Sequence, residues 1–137
     1  MQKIIALSWV TLFSCLLAFA GPVHSAPVLD DSSSFGPVSH VVIGWLKKPG
    51  DKASRRKFVE VTRGFATLPG VIDHKVGVVS PSGRNVVDTS FDVATVITFR
   101  NRTALNAYLE HPRHKKAVSE MLKPLIRKII VYDVELK

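Results

Sequence analysis

The sequence predicts an α+β domain of order β-α-β-β-α-β, and three observations carry that reading. A chain of 137 residues has room for one ordinary domain and not two. Four short apolar, β-branched runs alternate with stretches whose apolar residues recur at three- and four-residue steps. Turn-forming clusters punctuate the changes of period.

His40 to Leu46 (HVVIGWL) is the first strand, closed by the turn Lys47-Lys48-Pro49-Gly50. Asp51 is positioned to cap the helix that follows, in which Ser54, Phe58, Val61, Phe65 and Leu68 share a face. Leu68-Pro69-Gly70 stops that helix. Val71 to Val79 is the second strand and Phe91 to Phe99 (FDVATVITF) the third, with Ser80-Pro81-Ser82-Gly83 between them and hairpin pairing expected. Asn101 or Thr103 opens a short helix through Ala104, Leu105 and Tyr108, which His111-Pro112 breaks, because proline suits the first turn of a new helix. Val118, Met121, Leu122 and Leu125 point inward from the next helical segment, and Pro124 ends or bends it. Ile129 to Val134 (IIVYDV) is the last strand. This is the order of a ferredoxin-like split βαβ unit.

All helices of such a unit cover one side of the sheet, yet these strands are apolar on both. Phe91, Val93, Ile97 and Phe99 oppose Ala94 and Val96. Val41, Ile43 and Trp45 oppose Val42 and Leu46, and Ile129 and Val131 oppose Ile130, Tyr132 and Val134. Several hundred Å² of bare apolar surface, at ~25 cal/mol per Å², is too much for a soluble monomer. A homodimer that packs the two bare faces into a barrel-like core is therefore expected.

The remaining chain reads as an address and a spacer. Lys3 precedes an uncharged run of 17 residues, Ile4 to Ala20, and small residues then offer cleavage after Ala20 or Ser25, so residues 1–25 fit a signal peptide. Retention of the run as an N-terminal anchor is the alternative, since its length approaches a membrane span. Cys15 sits in a poor lipoprotein box, with bulky Phe13 before it and apolar residues well past it. Residues 26–37, with Pro27, Asp30, Asp31, three serines, Gly36 and Pro37, form a flexible linker, and the folded part is residues 38–137. The expected mature protein is exported, periplasmic or secreted, and its charge without Lys3 is 18 minus 11, or +7.

Composition excludes several classes. With 46% hydrophobic and 22% charged residues, the chain is neither disordered nor a low-complexity polymer. A single cysteine rules out a disulfide framework. No P-loop, dinucleotide fingerprint, nucleophile elbow or zinc-protease motif occurs. Six cations among the eleven residues Lys47 to Lys57 would attract phosphates, but no helix-turn-helix or aromatic-basic strand accompanies them. They read as a solvated face with at most peripheral contact with an anionic envelope surface, and no nucleic-acid partner is expected.

Four segments, in order, carry a resemblance. They are His40-Val41-Val42-Ile43; Leu68-Pro69-Gly70-Val71 with Val76-Gly77; Phe91-Asp92-Val93-Ala94 with Phe99; and Tyr108-Leu109-Glu110-His111-Pro112-Arg113-His114. Together they resemble the stress-responsive dimeric α/β-barrel (Dabb) family over nearly all of residues 38–137. The resemblance implies a ferredoxin-like protomer, a dimeric barrel, a small cavity between sheet and helices, and, through the family's name, a stress response. More distantly the chain is similar to olivetolic acid cyclase, a polyketide cyclase of that family. That similarity implies His40, Tyr108 and His114 as cavity residues, with an imidazole base and a tyrosine that holds an oxyanion. Val93 stands where the cyclase has a third-strand histidine, which interrupts the cyclase's hydrogen-bond network.

The leading expectation is a binder of a small hydrophobic or aromatic molecule, lined by His40, Val93, Tyr108 and His114, with no cofactor. The alternatives are a lyase-like acid-base enzyme using His40, Tyr108 and His114, and a ligand-free structural dimer. Each residue also has a plainer role. His40 could be a core histidine bonded to a carbonyl, with a gap beside it at Gly44. Tyr108 could bury its ring and wet its hydroxyl. His111 fits an N-cap before Pro112, and His111 with His114 is too few ligands for a metal. Asp92, a carboxylate in an apolar strand, calls for a partner such as an arginine, a backbone donor or a second subunit, and a dimer-interface anchor is one reading. Asp73 and His74 are expected on the solvent side. Trp45 or Met121 could fill the cavity.

Overall fold

The computed structural model describes residues 36–137. The expected signal peptide, and the linker up to residue 35, lie outside the described residues. The elements follow as β1 (Val38–Leu46), α1 (Lys52–Arg63), a 3₁₀ turn (Gly64–Thr67), β2 (Val71–Val78), β3 (Val93–Phe99), α2 (Arg102–Glu110), α3 (Pro112–Ala117), a π turn (Val118–Leu122) and β4 (Ile126–Glu135). One four-stranded sheet results, in the order β2-β3-β1-β4, with every neighbouring pair antiparallel. This is the ferredoxin-like arrangement that the order of elements predicts.

Local chemistry sets the boundaries. Asp51 accepts from the Ser54 amide at 2.7 Å, Asn101 from Ala104 at 2.8 Å and His111 from Arg113 at 3.2 Å, so each helix starts on a side-chain cap. The helix expected to run on to Leu68 instead ends at Arg63 and tightens into the 3₁₀ turn. Gly70 has φ +83°, and a Cβ there would lie 2.8 Å from that of Ala104, so only glycine lets the chain turn into β2 under α2.

Asp92 ends a long connection rather than standing inside a strand, and its partners are all in its own chain. It accepts from the backbone of Leu46 (2.9 Å) and Gly50 (2.6 Å) and from Arg55 Nη2 (3.0 Å). The arginine and the backbone donors that a buried carboxylate calls for are thus both supplied within the chain. The carboxylate pins the β1–α1 turn to the start of β3, and it draws Arg55 out of the exposed basic stripe. Burial alone would raise its pKa, but these donors outweigh burial and hold it below the ordinary value.

The strands alternate as expected. On β1 and β3 the side facing the helices carries Val38, His40, Val42, Val93, Ile97 and Phe99, all buried. These meet Phe58, Phe65, Leu105 and Tyr108 from the helical layer. On the opposite side Val41, Ile43, Val96 and Ile130 have no helix over them, and Tyr132 and Val134 are 53% and 47% exposed. Trp45 lies on this side, covered by a bond from its Nε1 to Ser90 Oγ (3.2 Å) and by the Lys128 ammonium 4.6 Å above its ring. No described helix is long and apolar enough to cross a membrane.

Candidate functional site

The inner face of β4 is the part of the sheet that the helices fail to cover. β4 is an edge strand, and the chain that would lie over it is a six-residue α3 followed by the π turn. Ile129 and Val131 face the helical side yet remain 53% and 46% exposed. Behind them opens a cavity of about 510 Å³. Val42, Thr95 and Ile97 form its floor, and Phe58, Tyr108 and Leu122 its roof. That volume is within the range that holds a small organic ligand.

Three of the four sequence-predicted residues meet here. His40, Tyr108 and His114 all line the cavity. Tyr108 lies between the two imidazoles, with ring centroids 6.3 Å from His40 and 4.4 Å from His114, and it packs on Phe99 at 4.8 Å. Val93 does not join them. It is fully buried and fills the space beside Gly44, where a Cβ would meet Val93 Cγ2 at 3.0 Å and Ile126 Cδ1 at 3.2 Å. The gap expected at Gly44 is thus occupied, and the third-strand residue at the cavity is Thr95. Trp45 faces away and Met121 is exposed, so neither fills the cavity.

Hydrogen bonds orient both imidazoles. His40 Nδ1 is 2.7 Å from Asp133 Oδ1, and the carboxylate makes that nitrogen the donor. Asp133 is in turn 3.4 Å from Arg102, which also donates to Glu135 at 3.1 Å. His114 Nδ1 donates to the Leu109 carbonyl at 3.2 Å. In the neutral ring each histidine then carries its lone pair on Nε2. Burial lowers the His114 pKa. The Leu109 bond opposes that shift, while positive charge on His40 or His111 would add to it. Burial raises the pKa of Tyr108, so its hydroxyl stays protonated. That hydroxyl has no hydrogen-bond partner among the described residues.

Asp133 and Arg102 escaped the sequence reading. The only trace of Asp133 was a lone acid inside an apolar strand. His74 is not on the solvent side as expected. It is half-buried and reaches Thr95 Oγ1 at 3.3 Å, whereas Asp73 is exposed. No group of three or more metal-ligating side chains is present among the described residues.

A family model described as the stress-responsive A/B barrel domain matches residues 38–136. Among solved structures, a Dabb family protein with a ferredoxin-like fold from Mesorhizobium loti has a TM-score of 0.60 at 21% identity, over 74% of this chain and 99% of that one. A dimeric ferredoxin-like protein of unknown function from Jannaschia sp. has a TM-score of 0.59 at 23% identity, over 74% and 100%. Hydroxynitrile lyase from Passiflora edulis has a TM-score of 0.64 at 16% identity, over 74% and 94%. At such identities the likeness shows the fold alone. No curated protein sequence matches the chain. The family model spans the whole of the ferredoxin-like domain, and the chain belongs to the stress-responsive A/B barrel domain family.

Proposed function

We propose that this protein is an exported homodimer whose protomers each bind a small, largely apolar molecule in the cavity beneath β4. The observation that carries the binding reading is the cavity itself: about 510 Å³, walled mostly by hydrocarbon, with His40, Tyr108 and His114 grouped at one end. A pocket of apolar walls and few convergent polar groups is the usual form of a small-molecule site. The bare outer face of the sheet supports the dimer, as do structural neighbours described as dimeric. The uncharged N-terminal run supports export.

The test uses the neutral fluorescent probe N-phenyl-1-naphthylamine. Saturable enhancement with one probe per protomer is expected, and Val131→Trp, which fills the mouth from an exposed strand position, should weaken binding about tenfold or more. No enhancement, or enhancement untouched by Val131→Trp, would contradict the reading.

The His40–Asp133 pair favours a second reading, an acid-base lyase. An oriented imidazole takes the hydroxyl proton of a substrate such as a hydroxynitrile. The C–C bond to the nitrile breaks, the carbonyl forms, and cyanide leaves and is protonated, while Tyr108 holds the oxygen. The lyase neighbour lends this reading a fold precedent. With mandelonitrile as substrate, His40→Ala should abolish turnover if the protein is this enzyme, and turnover unchanged in that variant would contradict the reading.

A further inference from the structure

The charges at the rim of the cavity are of one sign. Lys123, Arg127 and Lys128 line it, and no carboxylate does. Lys128 turns its ammonium onto Trp45 on the far side of the sheet. Lys123 and Arg127 remain, both exposed, and neither has an ion-pair partner among the described residues. Lys123 follows the π turn, where the carbonyl end of a helical segment by itself favours a cation. Arg127 has no such explanation. It is the extra residue where β4 shifts register against β1, between Ile126, opposite Leu46, and Lys128, opposite Trp45. Such a bulge re-aims a side chain out of the ladder.

These cations are at the end of the cavity away from His40. Along β1 the step from Leu46 to His40 is six residues, or about 20 Å of strand. An apolar tunnel with imidazoles and a phenol at one end and unpaired cations at the other matches an elongated molecule charged at one terminus. We propose that the ligand is an apolar carboxylic acid, its carboxylate held by Arg127 and Lys123 at the mouth and its hydrocarbon body running under Ile129 and Val131 toward Tyr108. This rests on the binding reading above and names its ligand class.

The test is displacement of N-phenyl-1-naphthylamine from the full-length protein by octanoate and by octan-1-ol, near neutral pH. Octanoate is expected to compete about tenfold better than the alcohol. In the double variant Lys123→Gln, Arg127→Gln the advantage should vanish while the probe and the alcohol bind as before, which also shows that the cavity is intact. Lys57→Gln, on α1, should leave the advantage unchanged. Equal competition by acid and alcohol in the native protein, or an acid preference that survives the double variant, would overturn the proposal while leaving the binding site standing. Failure of the probe itself to bind would remove the binding reading instead.

Discussion

The imidazole of His40 is held by a carboxylate ninety-three positions away in sequence, Asp133, where a core histidine bonded to a backbone carbonyl was the plainer expectation. His40 and Tyr108 were candidates through the likeness to the polyketide cyclase, not through period or spacing. Asp133 was not, because only the pairing of β1 with β4 places it opposite His40. His114 supplies a pH signature. Its pKa is lowered by burial from the ordinary 6.5, so below that value the unfolded chain binds more protons than the folded one. Stability should thus be independent of this residue above about pH 7.5 and fall as the pH drops through its ordinary value. His74, lowered mainly by burial, acts in the same direction. Urea midpoints measured from about pH 7.5 to about pH 5.5 should decline, and His114→Gln should reduce the decline. A decline of the same size in His114→Gln would refute the assignment.

At the scale of elements, strand alternation on β1 and β3 gave the correct inner and outer faces, and the caps at Asp51 and His111 were readable from residue type alone. β4 was expected over Ile129–Val134 but spans Ile126–Glu135. The charged Arg127-Lys128 pair hid its start, because a bulge and an edge position let cations sit in a strand. Two glycines test the local account with one substitution. Gly70→Ala meets φ +83° and the Ala104 Cβ, and should cost about 2–3 kcal/mol. Gly64→Ala meets helical dihedrals and open space, and should be neutral or stabilise by about 0.5 kcal/mol. Chemical denaturation of the two variants compares them directly, and similar losses at both positions would contradict the turn geometry.

For the whole molecule, the covering of the sheet decides assembly and site together. Helices shield β1 and β3 on one side, leave the inner face of β4 open over the cavity, and leave the outer face bare. Sedimentation at micromolar concentration should return a dimer, and Val96→Glu, a charge in the middle of the outer face, should return a monomer that keeps the cavity. A native monomer would end the assembly argument. The cavity was expected from family resemblance rather than from period or spacing, because its opening depends on how short α3 is relative to β4. Methyl chemical shifts followed during titration with N-phenyl-1-naphthylamine test the central claim most directly. The account predicts saturable shifts at Val42, Ile97 and Val131, with Ile43, Val96 and Val134 unmoved. Shifts confined to those outer-face methyls, or none at either face, would contradict it.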